Sequence, residues 1–134
     1  VASIRKEILV DAPSEKVWAA LRDFGALHER LVPGFVTDCR MDGDDRIVTF
    51  ASGAVMREVL IDLDDEAQRL VWSIVDGPYK HHNGAAQVFA EGENGSRFVW
   101  VSDLLPDDEE LVRLTGESMQ TGVETVKKTL EAAD

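Results

Sequence analysis

The sequence holds one cysteine, Cys39, and three histidines in 134 residues. A single cysteine excludes an intrachain disulfide and any zinc cluster built on cysteines. It fits a reducing compartment, so a cytoplasmic location is expected. Basic residues are also scarce: 14 Lys and Arg against 26 Asp and Glu give a net charge of −12. Binding nucleic acid through phosphates needs a basic surface, so no nucleic-acid partner is expected. The same charge disfavours anionic membranes and makes copies repel, although an apolar patch can still drive pairing; a monomer or a homodimer is expected. No apolar run approaches the ~20 residues of a membrane-crossing helix, so no membrane insertion is expected. The opening VASIRKEILVDAP breaks its apolar residues with Arg5, Lys6 and Glu7 and reads as a strand rather than a signal peptide. No HExxH pair, phosphate-cradling glycine loop, dinucleotide fingerprint or serine-nucleophile motif occurs. The expectation is no metal and no cofactor.

What is present is patterned throughout. The length suits one domain, residues 1–134, with a core that needs no staples. Ser3 to Val10 reads as a strand ended by Asp11-Ala12-Pro13. Ser14 then suits an N-cap for a short helix carrying Val17, Trp18, Leu21 and Phe24 at helical spacing. A second helical turn, Ala26 to Leu31, stops at Pro33-Gly34. From Phe35 to Leu105 the chain alternates strands and turns. Strands are expected over Phe35–Met41, Arg46–Ala51, Ala54–Leu63, Arg69–Val75, Asn83–Ala90 and Arg97–Leu105. Ser52-Gly53 is a tight hairpin signal. The period then changes: Leu111, Thr115, Met119, Val123, Val126 and Leu130 form one stripe of a long helix, Asp107 to Ala132. Acidic residues crowd its start, which suits the helix dipole. The order predicts an α+β fold, in which an antiparallel sheet receives the apolar stripe of the long helix.

Three stretches carry a resemblance. Ala12-Pro13-Ser14-Glu15-Lys16-Val17-Trp18 with Asp23-Phe24-Gly25 looks like an opening strand-to-helix signature. Glu58 with Leu63-Asp64-Asp65-Glu66 and Trp72-Ser73-Ile74-Val75-Asp76-Gly77 looks like a central hairpin. Trp100 with Leu104 and Pro106 looks like a last strand. In this order they resemble the SRPBCC superfamily, which includes START-like, polyketide cyclase/dehydrase-like and birch-pollen-allergen-like proteins and the plant abscisic acid receptors. The resemblance covers nearly the whole chain. It implies a helix-grip fold: a seven-stranded curved antiparallel sheet wrapped around the C-terminal helix, with two short helices after the first strand. It also implies a cavity for a hydrophobic small molecule. Position by position, Glu58, Trp72, Ile74, Tyr79, Lys80, His81 and Ala86 fall where the receptors line their pocket. The receptors' pocket lysine on the second strand has no counterpart here, and Ser52-Gly53-Ala54 is shorter than their gate loop. Hormone binding is therefore not carried over.

Single residues sharpen this picture. Adjacent strand residues point to opposite faces, so His81 and His82 cannot both face one cavity, and a metal site would need further ligands. His81 is the expected pocket histidine, because the resemblance puts it there. Glu58 shares a strand face with Met56 and Leu60, opposite Val55, Arg57, Val59 and Ile61. Facing out, it would be solvated beside an arginine. Facing in, as the family position favours, it needs Lys80, a water network or a ligand group, because a buried carboxylate is costly unless paired. An unpaired inward Glu58 predicts that Glu58→Gln is neutral or stabilising in the empty protein. Trp100, Met119 and Val123 complete the expected ligand-binding set. Gly116 and Gly122 are costly inside a helix, and would let it approach the sheet or leave room for a ligand. The leading expectation is a binding protein for a hydrophobic or amphipathic small molecule. The alternatives are a cofactor-free cyclase or dehydratase using Glu58, Tyr79 or His81 for proton transfer, and a co-chaperone-like interaction module.

Overall fold

In the computed structural model, which describes residues 2–105 and 108–132, seven strands form one antiparallel, curved sheet. They are β1 (Ala2–Val10), β2 (Val36–Asp42), β3 (Asp45–Phe50), β4 (Val55–Asp64), β5 (Arg69–Val75), β6 (His81–Glu91) and β7 (Gly95–Leu105). The sheet runs β1-β7-β6-β5-β4-β3-β2. Every neighbour except β1–β7 is thus a sequential hairpin, and β1 closes the order by pairing with β7. Between β1 and β2 lie helix α1 (Ser14–Arg22), a 3₁₀ turn (Phe24–Ala26) and one wide π turn (Leu27–Leu31). Helix α2 (Glu109–Ala132) ends the fold. The expected helix-grip architecture is what the chain adopts.

The local chemistry explains most boundaries. Helix α1 begins at Ser14 itself, which is buried, so Ser14 is not the side-chain cap that its sequence position suggested. Pro13 takes that place in an extended conformation, and its carbonyl accepts from the Lys16 and Val17 amides at 3.0 and 3.3 Å. Proline pre-sets the backbone there, and the serine is left free to pack. Helix α2 has the side-chain cap that α1 lacks. Asp108 Oδ1 accepts from the amides of Glu110 and Leu111 at 2.9 and 3.1 Å, satisfying two of the open donors at a helix start. The expected helix start at Asp107 and the Pro106 before it lie outside the described residues. The β3–β4 turn closes with the Phe50 amide donating to the Ala54 carbonyl at 2.9 Å. Gly53 adopts φ +94°, a conformation open to glycine. This turn fixes the register that sets Arg46 directly opposite Glu58.

The core lies between the concave face of the sheet and the helices. Val17, Trp18 and Leu21 of α1, and Val123, Val126 and Leu130 of α2, are buried against Leu70, Trp72, Ala86, Val88 and Phe98 of the sheet. Burial of such side chains is worth about 1.5–3 kcal/mol each. The alternation along β6 assigns its faces: His82, Gly84, Ala86 and Val88 are buried, whereas His81 and Phe89 are exposed. No helix among the described residues is long and apolar enough to cross a membrane.

Candidate functional site

The core is incompletely filled where the sheet bends toward α2. Two cavities meet there and share Phe50, Glu58, Trp72 and Trp100 as walls. One, of about 60 Å³, is lined, apart from the shared walls and Arg46, mainly by aliphatic and aromatic side chains, among them Leu27, Leu31, Val32, Phe35 and Val126. The other, of about 100 Å³, is the polar lobe, bounded by Met56, Ile74, Tyr79, His82, Ser102, Thr115 and Met119 among others. The dividing wall has a simple construction. Trp72 of β5 and Trp100 of β7 approach with ring centroids 6.2 Å apart. Each lies against a glycine. A methyl group at Gly84 would come within 2.6 Å of the Trp72 ring, and one at Gly122 within 2.7 Å of Trp100. Helix α2 can carry a glycine at mid-length because the Trp100 ring occupies that space.

Glu58 points inward and is buried, at 4 % exposure. Its partner is none of those anticipated. Arg46, 3 % exposed, donates from Nε to Glu58 Oε1 at 2.8 Å, and a terminal guanidinium nitrogen forms the ion pair with the same oxygen at 2.8 Å. A third guanidinium nitrogen donates to the Phe24 carbonyl at 3.1 Å, and the guanidinium stacks 3.9 Å above the Phe24 ring. The inward reading of Glu58 holds and the solvated one does not; the arginine expected only beside an outward Glu58 is buried with it. The register that pairs them is centred on Ser52, six residues from each, because the turn holds Ala51, Ser52 and Gly53. A two-residue Ser52-Gly53 turn would instead set Ile47 opposite Glu58, so the hairpin signal alone did not reveal Arg46.

The histidines separate as strand geometry requires. His81 is exposed on the outer side of the sheet. His82 is buried, at 3 % exposure, and lines the polar lobe. The cavity histidine is thus His82 and not His81. The parity of β6 carried that information: a strand that turns Ala86 inward also turns Gly84 and His82 inward. The His82 ring lies 5.1 Å from that of Tyr79, and its Nδ1 accepts from the Ile74 amide at 3.4 Å. Burial pushes its pKa down from 6.5 to about 4, so the imidazole is neutral near pH 7. Tyr79 Oη and Thr115 Oγ1 share a hydrogen bond of 2.8 Å across to α2.

Of the residues anticipated from sequence, Glu58, Trp72 and Trp100 wall both cavities, Ala86 the aliphatic one, and Ile74, Tyr79 and Met119 the polar one. Three stand apart. Lys80 and His81 are exposed and border neither cavity, because the loop before β6 turns them outward. Val123 is fully buried in the packed core and lines neither. Arg46, His82, Ser102 and Thr115 are among the cavity residues that the sequence reading missed. Among the described residues no group of three or more His, Cys, Asp or Glu is arranged to hold a metal ion.

Residues 1–131 match the family described as "Polyketide cyclase / dehydrase and lipid transport". The chain belongs to this family. No curated protein matches the sequence. Solved structures share the fold. The protein XoxI from Bacillus cereus is similar over 98 % of this chain and 97 % of its own, with TM-score 0.87 and 19 % identity. A START superfamily protein from Mycobacterium smegmatis is similar over 96 % and 97 %, with TM-score 0.78 and 14 % identity. The di-domain aromatase/cyclase BexL is similar over 98 % of this chain and 47 % of its own, with TM-score 0.82 and 15 % identity. Family membership supports a ligand-binding or cyclase role.

Proposed function

We propose that the protein binds a hydrophobic or amphipathic small molecule between the sheet and α2, as a carrier or receptor rather than a catalyst. One observation carries this reading. The only carboxylate among the described cavity-lining residues is neutralised by Arg46, which leaves an apolar space walled by two tryptophans. Glu58 Oε1 is already engaged by Arg46 at 2.8 Å, which speaks against Glu58 as a group free to meet a ligand proton. Native mass spectrometry of gently purified protein is the direct experiment. A retained apolar ligand supports the reading; protein that stays empty in the presence of apolar probes overturns it.

Met119 offers a variant test. It is 1 % exposed, sits on the inner stripe of α2 and borders the polar lobe. Met119→Trp should fill that lobe and lower uptake of an apolar probe at least tenfold while the protein stays folded. Overpacking is expected to cost about 1–3 kcal/mol. Unchanged uptake in the folded variant would remove the polar lobe from the binding site.

A cyclase reading is favoured by one specific feature, the neutral His82 imidazole beside Tyr79 in the same lobe. A neutral imidazole can accept a proton, and a phenol can donate one. If the protein is an enzyme, His82→Gln abolishes turnover while ligand binding survives.

A further inference from the structure

We propose that the cavity selects ligands whose polar end is an uncharged hydrogen-bond acceptor, such as a ketone, quinone or lactone carbonyl, and rejects carboxylates and phosphates. This rests on the ligand-binding reading above and adds the class of ligand.

The charge inventory supplies the first half of the argument. Among the described residues lining the two cavities, Arg46 and Glu58 alone carry formal charge at neutral pH, and they are bound to each other. The third guanidinium nitrogen of Arg46 is taken by the Phe24 carbonyl. His82, the other group that could become cationic, is held neutral by burial. Lys80 and His81 face away. A ligand anion entering this space would meet no free cation, and an unpaired buried charge is strongly disfavoured.

Open donors supply the second half. Trp100 Nε1 and Ser102 Oγ are buried and have no hydrogen-bond partner in the protein. The two residues are two apart on β7, so they share a face, and both border the polar lobe. An indole N–H can only donate. The ligand atom that satisfies it must be an acceptor, and a neutral carbonyl oxygen is one that brings no charge. Unsatisfied buried polar groups cost free energy, so supplying that acceptor gains affinity. At about 100 Å³ the lobe is smaller than the ~150 Å³ cavity that holds benzene. It therefore suits the polar end of a ligand whose remainder displaces the apolar wall.

The test compares acetophenone, ethylbenzene and benzoate at neutral pH with ¹⁵N-labelled protein, read through the indole N–H resonances. Trp100→Phe identifies the Trp100 signal. Acetophenone should bind about fivefold to tenfold more tightly than ethylbenzene, one hydrogen bond's worth, and shift the Trp100 proton downfield. Benzoate should bind at least tenfold more weakly than acetophenone. Trp100→Phe should erase the advantage of acetophenone over ethylbenzene, and Ser102→Ala, a smaller change, should reduce it. Benzoate binding as tightly as acetophenone would overturn the proposal and leave the binding reading intact. So would equal binding of acetophenone and ethylbenzene with no shift at Trp100. If none of the three binds, the ligand-binding reading falls, and this proposal with it.

Discussion

Glu58→Ala is expected to lower the unfolding free energy by about 3–5 kcal/mol, because it leaves a buried guanidinium without its counter-charge. Arg46 is 3 % exposed and enclosed by Phe24 and Trp72, so water cannot take the place of the carboxylate without opening the core. Glu58→Gln keeps an acceptor oxygen but removes the charge, and should also be destabilising, by less. This reverses what an unpaired inward carboxylate predicts, and the reason is Arg46. Replacing both residues, Arg46→Met with Glu58→Leu, should restore stability to near or above the starting value, since apolar packing often matches or exceeds a buried ion pair. Urea unfolding of the two single variants and the double variant forms a double-mutant cycle that isolates the pair. Single variants costing under about 1 kcal/mol would show that the pair is not the structural tie described here.

A loss of stability between about pH 6.5 and pH 4 is expected from His82. Above pH 6.5 the imidazole is neutral in both the folded and unfolded chain and contributes no pH dependence. As pH falls through 6.5 the unfolded chain takes up a proton, while the folded chain does not until about pH 4. The unfolded state therefore binds more protons over that window, and folding weakens by an amount on the order of 3 kcal/mol at its lower end. Carboxylates titrate nearby, so the measurement is a difference: unfolding free energy against pH for the parent protein and for His82→Gln. The parent should fall more steeply over this window. Parallel curves would mean that His82 is protonated in the folded protein as readily as in the unfolded chain.

Sequence patterns carried the architecture much further than the site. The first strand, the Ser52-Gly53 hairpin and the stripe from Thr115 to Leu130 were all readable, because two-residue and 3.6-residue periods report burial directly. Side-chain partnerships across strands were harder to see. Arg46 reads as one more surface charge until its hairpin is folded and Glu58 lies opposite. His81 was favoured by family position over its neighbour, although β6 parity points to His82. Helical spacing put Thr115 on the inner stripe, but neither it nor Ser102 signals a cavity, since a small hydroxyl residue looks alike in a packed core and in a cavity. Lys80 was tied to an inward Glu58 as a candidate counter-charge, and it lost that role once an arginine already sat at 2.8 Å.

The glycine seats beneath Trp72 and Trp100 have a consequence for how the protein would measure length. A ring resting on a bare backbone position is held on that side by no side chain, so it is the removable part of the wall. A ligand short enough for one lobe leaves both rings in place. A longer one fits only after a ring has left its seat. Across a homologous series, affinity should therefore rise to a threshold length, drop, and recover only when the added apolar contact offsets the displaced tryptophan. The cavity would act as a gauge with two settings, and Gly84 and Gly122 are where those settings are built.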